Sequence, residues 1–330
     1  MMENKKIAIF GCKNTTLFLI EFLSKKIKID FLITIDEEKA NKFEVADYCD
    51  LTNAADEYMI DVYQSKTYSL KNKDDVDYIK NLKIDLAFVI GWQRIIPEKI
   101  LNSLSIGAFG MHGSSMDLPL GRGRSPLNWS LIEGRSHFYT NLFKYDSGID
   151  SGDILDVNKF DISPYDTAET MHFKNTLSMK YLIQKNLKNL LKNDFKLRKQ
   201  KNISPTYYPK REPSDSLINW ESDIHEIERF IRAVTKPFNG AYSFIEKNKI
   251  IIYNAHIFDS ENSYGYNKKK VGEIIAIFPN KKFIVQCSGG LMMINDYEAR
   301  NLKIKTGQIL HNSSEKKREF KKNKDGYYDL

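Results

Sequence analysis

Three short runs, Ile7-Ala8-Ile9-Phe10, Phe31-Leu32-Ile33-Thr34-Ile35 and Leu86-Ala87-Phe88-Val89-Ile90, are apolar almost throughout. A strand with one wet face alternates apolar and polar residues, so runs of this kind must be covered on both faces. Helical stretches lie between them, beginning with the apolar-rich Leu17–Leu23 after Gly11. Repetition of strand, turn and helix predicts an α/β fold with an open, mostly parallel twisted sheet of Rossmann-like character. Gly11 stands alone, because Gly11-Cys12-Lys13-Asn14-Thr15-Thr16 lacks the further glycines of a dinucleotide fingerprint.

With 330 residues, 42% of them hydrophobic, two domains are expected. The amphipathic pattern of Ala168–Leu191 closes a first domain at 1–191. A Lys-rich stretch, 192–213, reads as a linker. Over 214–312, a helix at Ile224–Val234 precedes short strands at 241–245, 250–258, 271–277, 283–287 and 291–294, the layout of a small β-barrel. Residues 313–330, with Lys316-Lys317-Arg318 and Lys321-Lys322, read as a mobile, solvated charged tail.

No apolar run approaches the ~20 residues of a membrane span, and Met1-Met2-Glu3-Asn4-Lys5-Lys6 lacks a signal peptide's apolar stretch, so a cytoplasmic protein without a membrane partner is expected. Cys12, Cys49 and Cys287 are far apart and lack neighbouring ligands, so they read as free structural thiols. Net charge is +7, and residues 201–330 carry 22 Lys and Arg against 16 Asp and Glu. Such a basic half faces either RNA or water.

The chemistry concentrates in Gly110-Met111-His112-Gly113-Ser114, in Leu118-Pro119-Leu120-Gly121-Arg122-Gly123-Arg124-Ser125-Pro126-Leu127-Asn128-Trp129, and in Ile149-Asp150-Ser151-Gly152-Asp153-Ile154. A His in a Gly-rich loop, with an Asp in a second small-residue loop, suits proton handling at an acyl centre, since imidazole titrates near neutrality and a carboxylate fixes its charge. Arg122 and Arg124 flank a glycine and could fork onto a diphosphate, or could be surface residues of a turn. His137 and His172 read as packing or surface residues, Asp153 as a partner of local backbone N–H groups, and no metal is expected.

These motifs resemble the folate-dependent formyltransferases, a family that includes methionyl-tRNA formyltransferase and the sugar-nucleotide N-formyltransferases. The family pattern is Asn-x-His, a Leu-Pro turn, Arg-Gly, and an Asp in a sequence close to Ile-Asp-Thr-Gly-Asp-Ile. The resemblance makes His112 and Asp150 catalytic and implies an OB-like C-terminal domain. It also implies N10-formyltetrahydrofolate as co-substrate, held by Val89, Ile90, Gly91, Trp92 and Arg94 with the turn Asp146, Ser147, Gly148 and Ile149. The chain alone leaves Trp92 equally a core residue. Met111, Ser114, Arg122, Gly123, Arg124 and Ser125 fall on the acceptor side. Arg-Gly-Arg-Ser-Pro-Leu-Asn-Trp is closer to the aminosugar enzymes than to the tRNA enzyme, so a nucleotide-linked aminosugar of surface polysaccharide (lipopolysaccharide) synthesis is the expected acceptor. An initiator-tRNA enzyme and a non-catalytic binding homologue are the alternatives, and a homodimer is compatible with each. Two departures touch the site: about two extra residues within Ser115–Asp117, and Gly110 where the family has its Asn. A hydroxyl of Ser114 or Ser115, a backbone N–H or water could replace the lost donor. A rearranged loop with Gly110 at positive φ is the favoured outcome.

Overall fold

The computed structural model describes residues 5–261, 263–266, 269–300, 302–311 and 318–328. Contacts divide the chain into two units, the first comprising the residues up to Arg122 with Tyr139–Phe160 and Lys174–Thr206, the second Gly123–Phe138, Asp161–Phe173 and the chain from Tyr207.

Through the first part of the chain run β1 (Ile7–Phe10), α1 (Asn14–Ser24), β2 (Phe31–Thr34), α2 (Glu37–Lys42), α3 (Thr52–Glu57), β3 (Asp61–Gln64), α4 (Lys73–Asn81), β4 (Leu86–Val89), α5 (Glu98–Leu101), β5 (Gly107–Ser114), β6 (Arg122–Gly123), α6 (Pro126–Ile132), β7 (His137–Lys144), β8 (Ile154–Asp161) and α7 (Ala168–Leu191). The main sheet has the order β3-β2-β1-β4-β5-β7-β8. Strands β1 to β5 pair in parallel, and β7 runs antiparallel to β5.

The apolar runs are covered on both faces, as their composition requires. Ile7, Ile9, Leu86 and Phe88 pack with Leu19, Ile20 and Leu23 of α1 and with Leu182, Ile183 and Leu187 of α7. Ala8, Phe10, Ala87 and Val89 turn the other way, toward Val76 and Ile79 of α4 and Ile100 of α5. Period-two alternation produces this division, and each fully buried Phe or Ile stabilises the fold by about 1.5–3 kcal/mol. The order of strands reverses between β1 and β4, so the carboxyl ends of β1 and β4, with β5 next to β4, border the crevice where ligands of such sheets bind.

The stretch after α7 is no loose connection. Phe195 meets Phe109 edge-on at 5.3 Å, Leu197 packs on the same core, and Arg198 exchanges both backbone hydrogen bonds with Ile154, each 2.8 Å. The abundant lysines obscure an alternating Phe195-Lys196-Leu197 pattern, which is that of a half-buried extended segment.

The second unit carries β9 (Tyr207–Tyr208), α8 (Ile224–Val234), β10 (Ala241–Ile245), β11 (Asn248–Asp259), β12 (Ile274–Ile277), β13 (Phe283–Cys287), β14 (Gly290–Glu298) and β15 (Leu310–His311). Its antiparallel sheet has the order β12-β13-β14-β11-β10-β15. The two ends meet, because Leu310 N–H donates to Gly272 O and Ile274 N–H to Gln308 O, each 2.8 Å. The sheet therefore curls into an OB-like barrel. Ile224, Ile227 and Ile231 of α8 are buried, and Asn128 Nδ2 of α6 donates to Ala233 O at 2.7 Å.

The chain end departs from expectation. Lys316 and Lys317 lie outside the described residues, but Arg318 binds the buried Asp215 at 2.7 Å and Lys322 binds Glu133 at 2.8 Å. Phe320 and Tyr328 contact the Trp129 ring at 4.9 and 4.6 Å. Burial alone would raise the Glu133 carboxyl, but hydrogen bonds from Lys322 and Tyr208 hold it below the usual range. Reading the lysines alone missed the aromatic residues between them. Among the described residues, no helix is long and apolar enough to cross a membrane. Tyr328→Ala should cost about 0.5–1.5 kcal/mol for each aromatic pair lost, and should red-shift Trp129 emission. Unchanged emission and thermal midpoint would return residues 318–328 to the status of a solvated tail.

Candidate active site

On β5, residues 110, 112 and 114 face one way and 109, 111 and 113 the other. Met111 consequently packs on the core that α1 and α7 cover, so the expectation that it lies on the acceptor side is not met. His112, 8% exposed, stands on the opposite face. Its Nε2 lies 2.8 Å from Gly121 O, and because a carbonyl oxygen can only accept, Nε2 carries the hydrogen. That leaves Nδ1 facing Asp150 Oδ2 at 3.4 Å. A neutral ring in this tautomer turns its Nδ1 lone pair toward the carboxylate, so the two acceptors face each other and are placed to hold one incoming proton between them.

Asp150 sits in the turn between β7 and β8 with φ of 49°, a left-handed conformation costing an ordinary residue roughly 1–3 kcal/mol. The turn is held from both sides. Asp146 Oδ1 accepts from Gly148 N–H at 3.0 Å and Ser151 Oγ at 2.6 Å. It is Asp146, not Asp153, that bonds the local backbone. Gly152 comes so close to the Lys144 carbonyl that a Cβ would lie 1.7 Å from its oxygen, which excludes any side chain there. Gln200 Nε2 donates to Asp150 O at 2.7 Å and Gly152 O at 2.9 Å, while Gln200 Oε1 accepts from Arg122 Nη2 at 2.7 Å. Sequence reasoning missed Gln200, which lay in the supposed linker. Arg122 spends part of its guanidinium here rather than on a ligand.

Gly110 does not have positive φ, contrary to expectation. The space its side chain would fill is taken: a Cβ at Gly110 would lie 2.2 Å from Tyr145 Cε2 and 3.0 Å from the Tyr145 hydroxyl oxygen. Ser114 Oγ is fully buried and accepts from Met116 N–H at 3.2 Å.

At the end of β4 and just beyond it, Val89 and Trp92 are core, and so is Ile90, on the opposite face. Trp92 is 6% exposed and meets Tyr68 at 4.9 Å and Phe10 at 6.3 Å, both edge-on, so its ring offers no stacking face to a ligand. Gly91 has φ of 74°, and Arg94 lies over the Tyr68 ring at 4.7 Å. The Asp146, Ser147, Gly148 and Ile149 turn is exposed. Gly123, Arg124 and Ser125 belong to the second unit, where Arg124 N–H donates to Tyr208 O at 2.9 Å and Ser125 Oγ accepts from Arg211 N–H at 3.2 Å. There too, His137 lies 3.4 Å from Asp161 and His172 against Phe238.

The formyl transferase model matches residues 5–182, more than half the chain, and the formyl transferase C-terminal domain model matches 210–314. The chain belongs to the formyl transferase family. It is 35% identical over 198 residues to the bifunctional polymyxin resistance protein ArnA of Wigglesworthia glossinidia brevipalpis, covering 60% of this chain and 30% of that protein, so the match spans about a third of that relative. Among solved structures, the N-formyltransferase of Helicobacter canadensis, in complex with folinic acid and dTDP-3-aminofucose, superposes with a TM-score of 0.64 at 22% identity over 89% of this chain and all of that one. WlaRD, a sugar 3-N-formyltransferase studied with dTDP and 5-N-formyl-tetrahydrofolate, gives 0.64 at 21% identity over 91% and 100%. These likenesses show the shared fold.

Two outcomes follow for this member of the family. Gln200→Ala should lower the thermal midpoint by the loss of its three hydrogen bonds, about 0.5–1.5 kcal/mol each, and lower formyl turnover up to roughly 10²-fold, because it frees the Asp150 turn by a fraction of an ångström or more; wild-type turnover would make Gln200 a bystander. Trp92→Ala should cost about 3–5 kcal/mol as a core truncation, and an unchanged unfolding midpoint would reinstate Trp92 as a ligand contact.

Proposed function

We propose that this chain transfers a formyl group from N10-formyltetrahydrofolate to the amine of a nucleotide-linked deoxyaminosugar, in the cytoplasm, for surface polysaccharide synthesis. The observation that carries the reading is the His112–Asp150 pair at the carboxyl end of β5, with the ring tautomer fixed by Gly121. The catalytic part is assigned to residues 1–191 together with the 195–206 segment that holds the Asp150 turn, and the OB-like part to 214–312.

The donor supplies an electrophilic formyl carbon. Its ring would lie along Gly91–Arg94 and the exposed 146–149 turn, where main-chain edges, Gln93 and Arg94 suit a flat heterocycle better than the buried Trp92 does. Attack requires a neutral acceptor amine, which must shed a proton once bonded to carbon. Asp150 accepts that proton, and His112 Nδ1 stabilises and shares it until the departing nitrogen reclaims it. His112 Nε2 is engaged with Gly121, so the ring acts through Nδ1. The dTDP-aminosugar bound by one similar protein, the dTDP bound by another, and the Arg122-Gly123-Arg124-Ser125-Pro126-Leu127-Asn128-Trp129 sequence support a nucleotide sugar over tRNA.

Incubation with N10-formyltetrahydrofolate and a panel of nucleotide aminosugars should yield a product heavier by one formyl group. In His112→Ala and Asp150→Asn, the rate should fall about 10²–10⁴-fold with folding unchanged. Near-wild-type rates in both variants would sink the assignment, and an inert wild-type protein the activity itself.

A further inference from the structure

Gly110 removes the amide that the family places two residues before its His, and with His112 Nε2 committed to Gly121, neither group is left to donate to the oxygen of the transferred formyl group. Yet the place is not vacant. Phe143 lies directly across from Gly110 in the β5–β7 ladder, so Phe143, Tyr145, Gly110 and His112 share one face. Tyr145 stacks on Phe143 with ring centroids 5.2 Å apart and planes at 6°, and its backbone N–H donates to Ala108 O at 2.8 Å. Anchored in this way, its ring covers Gly110 and brings the phenol oxygen to 3.0 Å from where a Cβ would stand, the region an asparagine amide would reach. Among the described residues the Tyr145 hydroxyl has no hydrogen-bond partner, so its hydrogen is available to a ligand.

We propose that Tyr145 is a catalytic residue whose hydroxyl donates to the developing oxyanion, and that Gly110 and Tyr145 together replace the family's Asn. This rests on the formyl-transfer reading above. In the step it serves, the amine nitrogen bonds to the formyl carbon and the carbon–oxygen π pair moves onto oxygen, where the Tyr145 O–H stabilises it. The amine proton passes to the Asp150–His112 pair. The oxygen pair then re-forms the carbonyl, the carbon–nitrogen bond to the folate breaks, and that nitrogen takes the proton, giving a formamide and tetrahydrofolate. Burial, and then the Asp150 carboxylate, push the Tyr145 phenol up from its ordinary range, so it stays a donor throughout neutral and mildly alkaline pH.

Tyr145→Phe keeps the ring and strands no protein group. It should fold with the wild-type thermal midpoint, bind folinic acid with wild-type affinity in calorimetry, and lose turnover roughly 10²–10³-fold with little change in KM. Turnover equal to wild type, or a loss confined to KM, overturns the proposal. Independently of activity, Gly110→Asn should lower the thermal midpoint because the new side chain and the Tyr145 ring need the same space, and adding Tyr145→Ala should restore it. The double variant should also be faster than Tyr145→Ala alone. A Gly110→Asn protein as stable as wild type, or a double variant no faster than Tyr145→Ala, overturns the exchange. If wild type transfers no formyl group to any acceptor, the formyl-transfer reading fails and this proposal with it; active wild type beside an unimpaired Tyr145→Phe removes this proposal alone.

Discussion

The hydrogen bond from His112 Nε2 to Gly121 O fixes the chemistry of the site, because it decides which nitrogen meets Asp150. It depends on where Gly121 is held. Gly121 N–H donates to Thr206 Oγ1 at 2.8 Å, and Arg122 N–H to Thr206 O at 2.9 Å. The same 198–206 stretch binds Ile154 through Arg198 and the Asp150 turn through Gln200. One extended segment thus latches both halves of the proton-handling pair. Each bond contributes about 0.5–1.5 kcal/mol net, and together they offset the left-handed strain at Asp150. The extra residues around Ser115–Asp117 join the same arrangement, since Asp117 lies 3.9 Å from Arg198 and 3.8 Å from Lys201.

Much of the fold was legible because its signals are local. Continuous apolar runs announced β1, β2 and β4, and helical periodicity gave α7 and α8 their observed limits of 168–191 and 224–234. The strands of the barrel followed from short apolar segments between turns, with β12 shorter and β14 longer than expected, because bulges and pairing partners set strand ends. Where a second pattern lay under the first, reading composition failed. Lysines masked the alternation of Phe195 and Leu197, and the charges near the chain end masked Phe320 and Tyr328.

At the site, His112 and Asp150 stood in recognisable motifs, and the structure brings them together. Met111 could have been placed from sequence too, since a residue between Gly110 and His112 in a strand must face away from both. Trp92 could not, because a Trp following a buried strand fits a core and a ligand pocket equally well. Gln200 and Tyr145 were out of reach for a different reason. Their partners lie far along the chain, and only the β5–β7 register and the return of the 198–206 segment bring them into contact.

That register gives the Gly110 and Tyr145 exchange a physical logic beyond substitution of one donor for another. An asparagine on β5 would fix a donor to the same strand as His112, whatever the turn between β7 and β8 did. A donor at Tyr145 sits at the start of the turn that carries Asp150, five residues ahead of it and packed on Phe143. The oxyanion donor and the proton acceptor then belong to one turn, and the bonds from Asp146 and Gln200 that position the carboxylate also restrict the segment following the phenol. A bulky ring further requires that residue 110 have no side chain. The glycine therefore reports a relocated donor rather than a lost one, and turn geometry becomes the quantity on which both proton transfer and charge stabilisation depend.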